Sequence, residues 1–329
     1  MNEMLSLSGI LNAQERIRPY IRHTPMMPLP YLTNDVPAQL RLKLENLQVT
    51  GSFKCRGVFN HLTQLDDHQR SHGIATASGG NHGIAVAYGA YKLGIPSRVF
   101  LPESATDDRV ARSERWGATV VRHGKNWDDA HVEALRFAAE REIPYIHPFD
   151  TLQTVEGQGT LGLELLEDVP NVDCVLIAIG GGGLIAGTAL AIKSQHPHVR
   201  IIGVEPTGAP SMTKSLHEGE LRQLDSVNTI ADTLSLRAVS QMTLDLTQQY
   251  VDDVVLVDDA SMIQAMEWLW LNTNQLVEPA GAAVIAAVLT GKVDVSAYQA
   301  PVAVICGGNA NAQGAIEFYQ KAAKARGSL

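Results

Sequence analysis

The chain has 329 residues, room for two domains of ordinary size, and 45% of them are apolar, which sets it apart from disordered chains. Its 26 Lys plus Arg against 35 Asp plus Glu give a net charge of −9, the wrong sign for a surface that neutralises nucleic-acid phosphates. Three scattered cysteines, Cys55, Cys174 and Cys306, suit neither a disulfide framework nor a zinc site. With an acidic N-terminus and no apolar run of bilayer length, the sequence reads as cytoplasmic, with neither nucleic acid nor a membrane as partner.

Short apolar runs predict strands at 73–77, 98–101, 118–122, 174–179, 200–204, 254–257 and 302–306. The later runs are rich in Val and Ile with little alternation, as in strands buried on both faces. Helices are predicted at 81–93, 107–116, 127–140, 183–193, 261–272 and 312–325. Strand and helix alternate, which implies α/β architecture with mostly parallel sheets. A domain crossing is expected near 148–152, although composition does not change there.

The first residue of chemical interest is Lys54, within Ser52-Phe53-Lys54-Cys55-Arg56-Gly57. Gly51 and Ser52 look like a helix start, which puts Lys54 in the first turn, where the helix dipole opposes a cation. Such a position favours a lowered pKa, and the neutral amine is the form that attacks carbonyls. Taken alone, Lys54 reads as a solvated surface lysine; the aromatic Phe53 and the loops downstream argue otherwise.

Ser78-Gly79-Gly80-Asn81-His82-Gly83 follows one predicted strand and opens a helix, and Cys306-Gly307-Gly308-Asn309 follows another. Both sit at strand C-termini, where open α/β sheets place ligands. The first offers backbone N–H groups suited to a carboxylate, and Asn81 adds an amide donor. His82 reads as a cap or packing residue. Between these loops, Gly180, Gly181, Gly182 and Gly183, followed by Leu184, join a predicted strand to a helix. Consecutive glycines gather N–H groups into one concavity at a helix N-terminus, a cradle for phosphate. Locally the same residues fit G-x-G-x-x-A, with Glu205 after a later strand, so a dinucleotide stays open as the owner of that phosphate.

The lysine, the Ser-Gly-Gly-Asn loop, the tetraglycine loop and Cys-Gly-Gly-Asn stand in one order. Together with Glu45-Asn46-Leu47-Gln48, Thr229-Ile230-Ala231-Asp232 and Glu278-Pro279-Ala280-Gly281, they make the sequence resemble the fold type II pyridoxal-phosphate enzymes over nearly its whole length, in the threonine/serine dehydratase and serine racemase branch. The resemblance implies two open parallel-sheet domains of tryptophan synthase beta-like type with the cofactor, pyridoxal 5′-phosphate, in the cleft. The large domain would comprise 1–72 and 149–329, the small mobile one 73–148. Lys54 would form the Schiff base, Phe53 would lie beside it, and Asn81 would bond the ring hydroxyl. Gly180, Gly181, Gly182, Gly183 and Leu184 would hold the phosphate, and Cys306 would face the pyridine nitrogen. Ser78, Gly79, Gly80, Asn81 and His82 would grip the substrate carboxylate.

A neutral Cys306 would leave the ring a weak electron sink, which favours prompt loss of a β-substituent over a long-lived carbanion. The resemblance therefore implies an ammonia-lyase that converts a 3-hydroxy-L-amino acid, threonine or serine, to a 2-oxo acid and ammonia. Alternatives are a 3-hydroxyaspartate or phenylserine dehydratase, a serine racemase, or, in another class, a nucleotide-binding oxidoreductase or binding protein. Gly79 stands where racemases carry an acidic serine, which disfavours racemisation. Glu205 and Ala209 match two ligands of a divalent cation in the branch, but Ser211 replaces the third, an aspartate, and this puts a metal in doubt. Thr233 stands where many relatives carry glycine. A homodimer is implied by the family, and the short C-terminus suggests a degradative enzyme without feedback control by isoleucine.

Overall fold

The computed structural model describes residues 5–29 and 36–310, together with the single positions 317 and 320. Its strands are β1 (Met26–Pro28), β2 (Arg41–Leu44), β3 (Ile74–Ala77), β4 (Ser97–Leu101), β5 (Thr119–Arg122), β6 (Cys174–Ala178), β7 (Arg200–Pro206), β8 (Asp253–Val257) and β9 (Pro301–Ile305). They form a six-stranded sheet in the order β1-β2-β9-β6-β7-β8 and a three-stranded sheet β3-β4-β5. Every pairing within the two sheets is parallel except β1 with β2. All seven expected strands are present. The two additional ones, β1 and β2, are three and four residues long, too short to carry a periodic signal.

The helices are α1 (Leu7–Ile17), α2 (Lys54–Leu62), α3 (Asp67–His72), α4 (Asn81–Leu93), α5 (Asp107–Glu114), α6 (Trp127–Glu140), α7 (Leu152–Asp168), α8 (Gly183–Lys193), α9 (Ser211–Glu218), α10 (Gln241–Tyr250), α11 (Asp259–Thr273) and α12 (Pro279–Leu289). Five of the six predicted helices correspond to α4, α5, α6, α8 and α11, while the one predicted at 312–325 lies outside the described residues, apart from two isolated positions. The strands β6 and β9 are buried along their whole length, and α8 and α12 are buried almost throughout. They form the centre of the larger core, and their apolar runs remove most of their surface from water.

The helix that positions the site is α7, which the sequence reading missed because Gly157, Gly159 and Gly162 interrupt its periodicity. Those glycines allow backbones to meet. A Cβ on Gly157 would lie 2.5 Å from the Cα of Gly57 in α2, and one on Gly159 would lie 2.9 Å from the carbonyl of Gly187 in α8. One helix therefore locks α2, which begins at Lys54, against α8, which begins at the glycine loop. Two sites far apart in sequence are held in one rigid frame.

Candidate active site

Lys54 is the first residue of α2, preceded by Phe53, whose side chain makes no cap hydrogen bond. The start of this helix is tied to the end of β9. The N–H of Phe53 donates to the Cys306 carbonyl at 3.1 Å, and the N–H of Gly308 donates to the Gly51 carbonyl at 2.9 Å. Gly51 needs its freedom here, with φ at +74° and the Asn309 side chain 2.5 Å from where a Cβ would stand. The Lys54 ammonium donates to the Pro148 carbonyl at 2.9 Å, and among the described residues no carboxylate forms an ion pair with it. Burial lowers its pKa to about 8, against smaller opposing effects of Cys306 and Glu278. The amine thus approaches its nucleophilic form near neutral pH.

Gly180, Gly181, Gly182 and Gly183 line the same cleft as Lys54, Phe53, Asn81 and Cys306. Gly182, in the left-handed region at φ +84°, turns the chain into α8. Among the described residues, none accepts a hydrogen bond from the N–H groups of these four glycines. The concavity has no space for side chains, since a Cβ on Gly181 would lie 2.3 Å from the Phe149 ring. Free donors at the mouth of an eleven-residue helix, in one cleft with a partly buried amine, fit a molecule that carries both a phosphate and an aldehyde, and pyridoxal phosphate carries both. Gly181→Ala is expected to overpack against Phe149 by about 1–3 kcal/mol and to weaken cofactor binding roughly tenfold or more. Equilibrium dialysis of pyridoxal phosphate against the apo-protein checks this, and unchanged affinity would remove the loop from the phosphate site.

Ser78, Gly79, Gly80, Asn81 and His82 also line the cleft. The Asn81 amide is held on both sides: Nδ2 donates to the buried Glu278 carboxyl, and Oδ1 accepts from Asn309 Nδ2 at 2.7 Å. Burial pushes Glu278 up to about 7. His82 is buried with Nε2 2.9 Å from the Ile146 carbonyl, and burial holds its pKa well below the usual histidine range, so it is a neutral packing residue at the cleft wall. The Cys306 thiol is also buried, and its pKa is raised by burial first and by Glu278 next; it stays uncharged. Sequence reasoning missed Glu278 and Asn309 as supports of Asn81, and Arg109 and Trp127 as cleft residues. The motif Glu278-Pro279-Ala280-Gly281 was the available signal for the first of these, and no local pattern marked the last two.

Glu205, Ala209 and Ser211 lie together but do not fit a divalent cation. The Glu205 carboxylate already accepts from the N–H groups of Met212 and Thr213, each at 2.8 Å, and from the Thr213 hydroxyl at 2.6 Å. It caps α9, and it is the only carboxylate of the three positions, too little charge for a hard ion. Among the described residues, no cluster of three or more His, Cys, Asp or Glu side chains is placed to hold a metal.

The family model for the pyridoxal-phosphate dependent enzymes matches residues 17–307. The chain is 41% identical to an L-threonine ammonia-lyase of Geobacter sulfurreducens, covering 93% of this chain and 76% of that one. It is 37% identical to the L-threonine dehydratase catabolic TdcB of Staphylococcus aureus, covering 93% and 89%. Its fold is similar to that of maize serine racemase, with a TM-score of 0.89, 34% identity, and coverage of 98% and 99%.

Proposed function

The chain belongs to the pyridoxal-phosphate dependent enzymes, and from that premise we propose that it is an ammonia-lyase converting a 3-hydroxy-L-amino acid, threonine or serine, to a 2-oxo acid and ammonia. The observation that carries this reading is the Lys54 amine, its pKa lowered, in one cleft with a glycine-rich anion cradle and the neutral Cys306 thiol. The names of the relatives, threonine ammonia-lyase and threonine dehydratase, support it at 36–41% identity.

When bound, the cofactor would supply an electron-withdrawing ring that stabilises negative charge developing at the substrate Cα. Everything else falls to the chain. Gly180, Gly181, Gly182, Gly183 and Leu184 would hold the phosphate through backbone N–H groups. The turn from Ser78 to Asn81 orients the substrate carboxylate, with Asn81 kept rigid by Glu278 and Asn309. Lys54 would take the α-proton as general base, and its pKa of about 8 suits it to hold that proton and pass it on. Loss of the β-hydroxyl as water balances the proton taken from Cα, and the enamine so formed tautomerises and takes up one water to give the 2-oxo acid and ammonia. A neutral Cys306 leaves the ring without a strong charge partner, which favours this elimination over a persistent carbanion.

The small domain, 73–148 in this reading, closes over the reacting centre. Its three-stranded sheet is separate from the large one, and Arg109 and Asp128 on its helices pair with Asp232 and Arg237 across the cleft. A homodimer in the cytoplasm belongs to the same proposal; no helix among the described residues is long and apolar enough to cross a membrane. The test is release of a 2-oxo acid from a panel of 3-hydroxy amino acids by the purified holoenzyme. Equal loss of ammonia and gain of 2-oxo acid from threonine or serine is expected. Interconversion of serine enantiomers without 2-oxo acid would overturn the reading in favour of a racemase.

A further inference from the structure

Four apolar residues, Pro102, Ala105, Trp127 and Leu236, line the cleft and have no part in holding phosphate, amine or carboxylate. Trp127 is the most firmly placed of them. It is the first residue of α6, behind the Asn126 cap. Its indole Nε1–H donates to the Ala77 carbonyl at 2.9 Å, and its ring stacks on His131 at 4.6 Å with the planes 11° apart. His131 Nδ1 in turn lies 2.7 Å from the Tyr145 hydroxyl. Ala77 directly precedes Ser78, so this hydrocarbon wall is fastened to the same turn that receives the substrate carboxylate. The indole is thereby fixed on the cleft lining, one residue from that turn.

One cation could receive a charged β-substituent at this place, and it is already engaged. Arg109 lines the cleft, packs over Gly79 with Cδ and Nη1 at 3.6 and 3.7 Å from where a Cβ would stand, and forms an ion pair with Asp232 on the opposite side. Besides Lys54 it is the only Lys or Arg among the described residues that line the cleft. The pair presents no net charge to an incoming group, and Asp232 repels an anion.

We infer that Trp127 and the Arg109–Asp232 pair fix the side-chain class of the substrate: a hydrocarbon β-substituent, from the methyl of threonine upward, is accepted and a second carboxylate is refused. This rests on the ammonia-lyase reading and deepens it. An added methyl group in an apolar pocket gives a preference of roughly tenfold or more, so threonine is favoured over serine by that factor.

The test uses wild-type holoenzyme and the variants Trp127→Ala, Trp127→Phe and Asp232→Asn. Turnover is read as kcat/KM for threonine, serine and 3-hydroxyaspartate. Binding without turnover is read from the change in cofactor absorbance on titration with 2-aminobutyrate, alanine and aspartate. Trp127→Ala is expected to abolish most of the threonine-over-serine and 2-aminobutyrate-over-alanine preferences, while Trp127→Phe keeps them. Asp232→Asn, a partly exposed position, should raise aspartate binding and 3-hydroxyaspartate turnover about tenfold with the threonine-over-serine ratio retained. Should Trp127→Ala not fold, Asp232→Asn still decides. Wild-type enzyme that takes 3-hydroxyaspartate as well as threonine, a folded Trp127→Ala with both ratios unchanged, or Asp232→Asn without gain for the acidic ligands would overturn the inference. Failure of the ammonia-lyase reading looks different: no ammonia from any hydroxy amino acid, with the binding series still ordered by side chain.

Discussion

Lys54→Ala is expected to abolish turnover and to leave no protein-bound cofactor after borohydride treatment. The position is partly buried, and its ammonium bonds only to the Pro148 carbonyl among the described residues, so removing it strands no carboxylate. The folded variant should therefore still bind pyridoxal phosphate through the glycine loop, reversibly and without a covalent bond. Loss of the general base alone accounts for about 10²–10⁴ in rate. Peptide mapping of borohydride-reduced wild type should find the label on Lys54, and dialysis should strip the cofactor from the variant. The same residue predicts a pH dependence. Burial lowers the Lys54 pKa to about 8, so the amine is mostly charged and unreactive below pH 8 and neutral above it. Covalent capture of added cofactor by apo-protein should accelerate as pH rises toward 8 and level off beyond. A Lys54→Ala protein with normal turnover, or a label on another lysine, removes Lys54 from the chemistry.

The parts of this molecule that sequence makes legible are those with a local signal. Strands buried on both faces, such as β6 and β9, appear as unbroken Val and Ile runs, and each glycine loop follows one of them. The loops were readable because a backbone that must approach an anion or turn at positive φ leaves glycine as its trace, as at Gly182. What stayed hidden depends on partners distant in sequence. Helix α7 is glycine-interrupted because two other helices press on it, a pressure visible only once Gly57 and Gly187 are in place. Trp127 opens the helix predicted at 127–140, and nothing local marks the bond of its indole to the Ala77 carbonyl, fifty residues earlier. In β2, Lys43 stands where alternation would predict a solvent-facing lysine, yet it is fully buried. The partners that allow this, Glu164 and Asp168, are more than a hundred residues away.

Those partners lead to the largest expected loss of stability, from Arg56→Leu. Arg56 is fully buried two residues after Lys54, and its guanidinium donates to both oxygens of Glu45 and both oxygens of Glu164. Lys43 continues the network from Glu164 to Asp168 at 2.9 and 2.7 Å. In Arg56→Leu, Lys43 still pairs with Glu164, but among the described residues Glu45 keeps only the Thr24 hydroxyl, at 2.5 Å, as a side-chain donor. A buried carboxylate left without its counter-charge costs about 3–5 kcal/mol, read in denaturant unfolding of the apo-protein. The pH dependence separates this cause from simple loss of packing. In wild type, burial would raise Glu164, but Arg56 and then Lys43 overcome that and hold it at about 2. Its contribution is complete above the unfolded carboxyl pKa of roughly 4.3 and is lost as pH falls from there toward 2. Arg56→Leu removes the first of the two cations that hold Glu164 low, so the part of the gap that comes from Glu164 is lost in acid and the gap between variant and wild type should narrow as pH falls. Adding Glu45→Gln to Arg56→Leu should recover part of the loss at neutral pH, because it removes the charge that has no partner. A gap independent of pH, with no recovery in the double variant, would mean that Arg56 stabilises through its volume and not its charge.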